Sequence, residues 1–301
     1  MAVPSRFILH QGPVLRALSG AAVAAVRQRL GQAPTAPPAL PGPEIRAVIP
    51  PRPPALVRAY VRNVGGEPSA YRRTLPSHLF PQWGFGLAAR TLTGIPYPML
   101  RVMNGGCRLE IRSPLPADEP LHVTARLEDI DDDGRRAVLH QRVVTASSSD
   151  TEALVAHLYA IVPVAAAKRD GKRKERPRVP QDVREVGFWR INARAGLDFA
   201  KLTGDFNPVH WVPAYARSMG FANVILHGFA TMARAMEGLH RALFVGDVAA
   251  IATFDCKFTR PLVLPAKVGL YVGDHNDVYV GDAPGGPAYL VGTFSTQGAR
   301  P

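Results

Sequence analysis

The chain has 301 residues, of which 47% are hydrophobic and 20% are charged. This balance is ordinary for a soluble globular protein, and the length suits one or two domains whose core needs no disulfide staples. No run of the sequence approaches the roughly 20 apolar residues that a membrane helix requires, so we expect no membrane span.

The net charge of +12 is concentrated in two segments. Residues 1–43 hold four arginines and no acid, and residues 168–178 hold seven basic and two acidic side chains, which leaves about +3 for the remainder. Because nucleic-acid binding needs basic side chains spread over a folded surface, we expect no nucleic-acid partner. The basic segments are compatible with an anionic partner, such as the phosphates of coenzyme A or an acidic carrier protein, and equally with a solvated linker.

The two cysteines, Cys107 and Cys256, belong to no zinc or disulfide pattern, since the sequence has no CxxC pair. We interpret both as small apolar residues of core strands. This cysteine usage fits a reducing compartment, so a cytoplasmic location is predicted.

The sequence predicts four parts. Residues 1–43 are an N-terminal basic helix with a proline-rich linker, and residues 44–165 are a first domain. Residues 166–180 are a basic linker, and residues 181–301 are a second domain. Residues 14–30 predict a short amphipathic helix that is either docked on the protein or loosely held, followed by a proline-rich linker over 34–54. An arginine-bearing start without acids is also compatible with an organellar transit peptide.

In the first domain, residues 78–93 are apolar and predict a helix that ends before Gly94. Alternating polar and apolar residues follow, and 153–163 is apolar enough for a strand buried on both faces. The alternating segments are 107–112, 121–128 and 136–145. Alternation with a period of two, interrupted by turn residues, indicates an antiparallel sheet.

The second domain repeats this order of helix and strands. The residues at helical spacing in its first helix are Ile191, Ala195, Phe199 and Leu202. A short helix is expected from Pro213 to Gly220, and a long one from Phe229 until Gly246. Strands are predicted at 254–258, 267–273, 277–280 and 288–296. A sheet wrapped around a helix, formed twice and paired edge to edge, is the α+β arrangement that this pattern favours.

The stretch Thr203–His210, TGDFNPVH, combines an acid, an amide and an imidazole between two predicted helices. Asp205 and His210 are groups that can accept and donate protons near neutral pH, as the addition of water to an enoyl thioester requires. Asn207 can orient a neighbour by hydrogen bonding. Two alternatives remain: an Asx turn in which the aspartate only satisfies backbone N–H groups, and a metal site, although the spacing matches no familiar ligand set.

A second feature is ILHGF at 225–229, directly before the long apolar helix. Free backbone N–H groups at a helix start can polarise a carbonyl oxygen, and Gly228 would let a thioester approach closely. We interpret His227 as a packed or capping residue.

These pieces, GDFNPVH followed by Ala216, Gly220 with Phe221, and ILHGF, resemble in order and spacing the hydratase 2 motif of MaoC-like (R)-specific enoyl-CoA hydratases and 3-hydroxyacyl-thioester dehydratases. The layout of the chain also resembles double-hotdog bacterial dehydratases. The resemblance implies an α+β double hotdog, each half an antiparallel sheet wrapped around a long central helix. The first half is then degenerate and the second is catalytic.

The resemblance also implies roles. Asp205 and His210 are the catalytic pair, Asn207 is the orienting residue and Gly228 belongs to the oxyanion hole. A water held between the pair would add to C3 while C2 is protonated, in fatty acid synthesis or degradation. No metal and no cofactor are expected besides the coenzyme A or acyl carrier protein that carries the substrate. A homodimer is one open oligomeric state.

One residue departs from the family pattern, since Met236 stands where some members have a serine eight residues after the oxyanion glycine. Two other functions remain open at this point. One is a thioesterase on the same scaffold, and the other is a non-catalytic subunit that binds acyl thioesters.

Overall fold

The computed structural model describes residues 2–29, 38–164 and 175–298. The strands of the first half are β1 (Ile45–Ile49), β2 (Thr74–Leu75), β3 (Met103–Ile111), β4 (Leu115–Pro116), β5 (Leu121–Asp132), β6 (Arg136–Ala146) and β7 (Leu154–Pro163). Those of the second half are β8 (Arg184–Ile191), β9 (Ile251–Phe258), β10 (Ala266–Val272), β11 (Asp277–Gly281) and β12 (Ala288–Thr296). The helices are α1 (Gly12–Arg29), α2 (Pro54–Asn63), α3 (Pro81–Thr91), α4 (Ala195–Thr203), α5 (Pro213–Ser218) and α6 (Gly228–Leu243).

Ten strands form one antiparallel sheet in the order β1-β5-β6-β7-β3-β9-β12-β11-β10-β8, and β2 pairs with β4 separately. Each half has its first strand at the outer edge, and β3 and β9 pair with each other at the centre. Helix α3 packs against β1, β5 and β6, whereas α6 packs against β8, β9 and β12. The same strand order around a central helix in both halves confirms the double hotdog and the pairing of its sheets edge to edge.

The two cysteines face each other across this central seam, where Cys107 is the register partner of Cys256. Both thiols are free and buried, with exposed fractions of 0% and 1%. Burial raises the pKa of both thiols, so they remain protonated core residues. The sequence indicated the core location of the cysteines but not their pairing, which depends on the register between the two halves.

The edge strands differ from the sequence prediction. Residues 45–49 lie inside the predicted proline-rich linker 34–54, yet they form β1 and pair with β5. The extension of the linker to residue 54 is therefore wrong, because a long-range partner satisfies the backbone groups of this segment, which lies within the predicted first domain 44–165. Residues 34–37 of that stretch, and residues 166–174 of the predicted basic linker, lie outside the described part of the chain.

The first helix of the second half also begins later than predicted. Ile191 ends the edge strand β8 and is not part of α4, which starts at Ala195. The side chain of Asn192 accepts a hydrogen bond from the backbone N–H of Arg194 at 2.9 Å, and this turn separates strand from helix. The predicted ends of α3, α5 and α6 are confirmed by glycines with positive φ shortly after each helix, at positions 94, 220 and 246.

Residues 3–11, which precede the predicted helix 14–30, dock on the second half. The backbone N–H of Val3 donates to the Asp198 carboxylate at 3.1 Å, and the Lys201 ammonium donates to the Val3 carbonyl at 2.8 Å. The buried Gln11 amide donates to the Lys201 carbonyl at 3.1 Å. These contacts hold residues 3–11 against α4. In the described part of the chain, we find no helix whose length and apolar character would let it cross a membrane.

Two side chains of the 3-10 helical segment Ser5–Gln11 test how much this docking contributes to stability. Phe7 is 4% exposed and Leu9 is 85% exposed. We expect Phe7→Ala to lower the free energy of unfolding by about 3–5 kcal/mol, because it leaves a cavity, and Leu9→Ala to change it by less than about 0.5 kcal/mol. Denaturant unfolding of both variants measures this, and equal effects would contradict the docked arrangement.

Candidate active site

The TGDFNPVH motif begins where α4 ends. Gly204 terminates the helix with a φ of 86°, in the left-handed region that side chains disfavour. The backbone of Gly204 lies so close to α1 that a Cβ there would be 2.9 Å from Cβ of Val14. This glycine therefore turns the chain sharply and lets the following residue, Asp205, leave the helix toward the start of α6.

The loop is organised by its own polar side chains. Asp205 Oδ1 accepts from the backbone N–H of Asn207 at 3.3 Å, and Asn207 Oδ1 accepts from the backbone N–H of Val209 at 3.2 Å. Asn207 thus caps the short 3-10 helix Pro208–His210. The Asx-turn interpretation of the motif is correct for the backbone, but it uses only Oδ1 of the aspartate. Oδ2 lies 3.8 Å from Nε2 of His227, and the Asp205 side chain is 18% exposed.

Two hydrogen bonds cross between this loop and the segment that precedes α6. His210 Nδ1 lies 2.8 Å from the carbonyl oxygen of Ile225, and His227 Nε2 lies 2.9 Å from the carbonyl oxygen of Asp205. Because a carbonyl oxygen only accepts, both ring nitrogens donate. His210 is therefore protonated on Nδ1, and in its neutral form Nε2 keeps a free lone pair.

The imidazole rings of His210 and His227 stack on each other, with centroids 3.6 Å apart and planes inclined by 24°. On its other side, His227 contacts the ring of Phe199 at a centroid distance of 4.9 Å. Burial lowers the pKa of His210 from its ordinary value, and the charge of Asp205 opposes this effect. Burial and the neighbouring His210 lower the pKa of His227 to about 3. Both rings are therefore neutral at neutral pH.

Glycines allow the close approach of these elements. A Cβ on Gly196, in α4, would overlap the carbonyl group of His210. A Cβ on Gly228 would lie 2.8 Å from the ring of Phe258. Among the described residues, none accepts a hydrogen bond from the backbone N–H of Gly228 or Phe229, the first two of α6. Two unpaired donors therefore stand beside His227 at the positive end of a helix dipole.

Asp205, His210 and His227 also place one potential ligand atom each within 4.8 Å of one another. A metal ion needs lone pairs that converge on one point, in zinc sites at roughly tetrahedral angles. The two rings are stacked face to face, and one nitrogen of each ring already donates to a carbonyl oxygen. The arrangement therefore does not fit a metal centre.

The first half contains the same backbone frame. Gly65 follows α2 with a φ of 90°, as Gly204 follows α4 with a φ of 86°. Glu67 precedes a proline and accepts a hydrogen bond from the backbone N–H two residues later, as Asn207 does in the second half. Both halves thus have the same loop between helix and 3-10 turn, although the loop of the first half is one residue shorter.

The chemistry of the loop has not been kept. In the first half, Gly66 stands between the left-handed glycine and the capping residue, where the second half has Asp205. Ala70 stands two residues after the proline, where the second half has His210. No acid and no imidazole are present at these positions, so the degenerate character of the first half extends to both groups of the predicted catalytic pair.

The place of the missing acid is filled from the other half. The carboxylate of Glu237, on α6, lies so close to Gly66 that a Cβ there would overlap it. Glu237 is 4% exposed, accepts from the Tyr71 hydroxyl at 2.9 Å and lies 3.1 Å from Nε2 of the fully buried His78. This buried network links the two halves and closes the position that corresponds to Asp205.

The structure thus brings Asp205 and His210 together and places Asn207 and Gly228 beside them. Met236, at the departure from the family pattern, lies fully buried in α6, and nothing in its surroundings gives it a chemical role. Sequence reasoning missed the contacts of His227. Its position directly before the glycine at a helix start was the available signal.

The part of the sequence that carries this site is similar to known proteins. Residues 173–280 match the family model of the MaoC like domain. The chain is 29% identical over 170 residues to enoyl-CoA hydratase ChsH3 of Mycobacterium tuberculosis, an alignment that covers 55% of this chain and 58% of the relative. It is 32% identical over 101 residues to 3-hydroxyacyl-thioester dehydratase X of the same organism, covering 34% of this chain and 33% of the relative.

The fold is similar to the crystal structure of HtdX from Mycobacterium tuberculosis, with a TM-score of 0.67 and 23% identity over 83% of this chain and 99% of that chain. This likeness establishes the fold. The chain spans 58% and 33% of the length of the two curated relatives.

The depressed pKa of His227 gives a pH prediction. Unfolded histidine takes up a proton near its ordinary pKa of about 6.5, whereas folded His227 does so only near pH 3. The unfolded state therefore binds more protons between these values, and this residue's contribution to stability falls as the pH drops, by up to about 1.4 kcal/mol per pH unit. We expect its imidazole NMR signals, assigned by their loss in His227→Phe, to stay constant from about pH 7 to pH 5. A titration midpoint near its ordinary pKa would contradict the buried neutral ring.

Proposed function

We propose that this chain, in which residues 173–280 are a MaoC-like domain, hydrates trans-2-enoyl thioesters and, in reverse, dehydrates (R)-3-hydroxyacyl thioesters. The observation that carries the proposal is the convergence of Asp205 and His210 beside the first turn of α6, fixed by hydrogen bonds between the two segments. The names of the relatives, an enoyl-CoA hydratase and a 3-hydroxyacyl-thioester dehydratase, support the same reaction class.

The protonation states suit the addition of water. Neutral His210 offers the lone pair of Nε2, and the Asp205 carboxylate offers Oδ2, so the pair can accept both protons of one water molecule. As the water oxygen bonds to C3, the C2–C3 π electrons move toward the thioester oxygen and one acceptor takes a proton from the water. A proton delivered to C2 from the pair then completes the addition and restores the carbonyl. Dehydration runs through the same steps backwards.

Charge develops on the thioester oxygen during this reaction. The unpaired backbone N–H groups at the start of α6, that of Gly228 first, are the donors available to stabilise it. They act with the helix dipole and undergo no reorganisation when the charge forms. The chemistry requires no metal and no redox cofactor. Coenzyme A or an acyl carrier protein serves as the substrate carrier, and the free buried thiols support the cytoplasm as the location.

Substitution of each member of the pair tests the proposal. We expect Asp205→Asn and His210→Gln each to lower kcat for a trans-2-enoyl-CoA by about 10²–10⁴-fold, because each removes a proton acceptor. The measurement is the decrease of the enoyl thioester absorbance, with unfolding curves to verify that both variants fold. Asp118→Asn and His122→Gln change exposed residues of the same types and serve as controls. Turnover that survives in both site variants would refute the assignment, and release of free thiol without hydration would indicate a thioesterase.

Two glycines of α6 test the oxyanion donor. A Cβ on Gly228 meets the Phe258 ring at the helix start, and a Cβ on Gly238 would overlap the Leu270 side chain ten residues further along. We expect both alanine variants to lose stability through overpacking, by about 1–3 kcal/mol. Only Gly228→Ala should also lower kcat, by about 100-fold, since it shifts the donor. Equal kcat values for the two folded variants would remove the first turn of α6 from the mechanism.

A further inference from the structure

One buried group beside the proposed pair has no part in the reaction as described above. His227 is 2% exposed, and among the described residues its Nδ1 has no hydrogen-bond partner. Among the described residues, Nε2 is the only atom of its side chain that forms a hydrogen bond, and that bond goes to the loop that carries Asp205. A buried imidazole with one satisfied nitrogen is costly compared with an apolar side chain, so its retention needs an explanation.

The contacts of His227 give that explanation. Its Nε2 holds the carbonyl oxygen of Asp205 at 2.9 Å, and its ring lies against the ring of His210 at 3.6 Å. It is also the N-cap of α6, directly bonded to Gly228. One side chain therefore contacts both members of the pair, and its backbone continues into the donor for the thioester oxygen.

We propose that His227 is a positioning residue that fixes the separation between the Asp205 carboxylate and the His210 imidazole, an inference that rests on the proposed function. The hydrogen bond restrains the backbone of Asp205 directly after Gly204, the glycine with a left-handed φ at which the chain turns. The stacked ring restricts rotation of His210 about its side-chain bonds. Because His227 is joined to α6, the same helix anchors both the hydrogen bond to Asp205 and the ring contact with His210.

Two substitutions separate the hydrogen bond from the stacking. His227→Phe keeps a flat ring of similar size but removes the donor, whereas His227→Gln keeps an N–H donor at similar reach but removes the ring. A misplacement of about 1 Å in a catalytic group can cost about 100-fold in rate. We expect His227→Phe to lower kcat by about that factor with KM changed less than about threefold. We expect His227→Gln to recover at least tenfold of the loss, through the restored donor.

A matched control distinguishes positioning from mere stability. His240 is a buried histidine within α6, 3% exposed and near the C-terminal end of the helix. His240→Gln should lower the thermal midpoint, since a buried side chain is changed, while kcat per folded molecule stays at the wild-type value. If His227→Phe behaves in the same way, its role is structural and the proposal is overturned.

A double-variant cycle supplies the final test. If His227 acts through Asp205, then His227→Phe should have less than about threefold further effect on kcat in an Asp205→Asn background. Fully multiplicative effects would show that His227 acts independently of the aspartate and would overturn the proposal. Wild-type turnover of enoyl thioesters is measured in the same experiment. Its absence would refute the proposed function, whereas an active wild type with an equally active His227→Phe variant would refute only this inference.

Discussion

The candidate site depends on two hydrogen bonds exchanged between two short segments of the second half. In the loop after α4, His210 Nδ1 donates to the Ile225 carbonyl oxygen of the segment before α6. In return, His227 Nε2 of that segment donates to the Asp205 carbonyl oxygen of the loop. Each hydrogen bond holds a backbone carbonyl in place and fixes the tautomer of the donating ring. Moving the two segments apart would break both hydrogen bonds. Reactive side chains held in this way need no metal to define their geometry.

The duplication of the fold explains why there is one such site in the described chain and not two. Both halves place a helix, a left-handed glycine and a capped 3-10 turn in the same order, but only the second retains Asp205 and His210. In the first half, the corresponding space is occupied by Glu237 of the opposite helix, hydrogen-bonded to Tyr71. A buried carboxylate is tolerated because polar partners surround it. The half without the acid and the imidazole thus anchors α6, the helix that supports the candidate site, through Glu237.

Local signals allowed much of this to be predicted. Neighbouring residues alone indicate the helix ends at glycines, the strands with a period of two and the TGDFNPVH motif. The structure confirms the elements that these signals predicted. The edge strands β1 and β8 were missed because their sequences carry no clear alternation and they are defined by partners far along the chain. The pairing of Cys107 with Cys256 and the stacking of His227 on His210 were missed for the same reason. Such contacts are set by register and by the path of loops, which neighbouring residues do not encode.

Within the described residues, the N-terminal segment has no counterpart in the second unit, and its position gives it a defined physical role. Gly204 has no side chain, and the space behind it is filled by Val14 of α1. Gln11 lies beside this contact, donates to the Lys201 carbonyl and accepts from the Gln82 amide of the first half at 3.2 Å. The loop that carries Asp205 is therefore restrained by the start of α6 on one side and by the N-terminal segment behind it. Ordering a segment about 190 residues distant in sequence from the loop costs chain entropy, and burial of Phe7 and Val14 offsets that cost. The geometry of the site is thus a property of the whole fold, although its reactive groups lie within six residues.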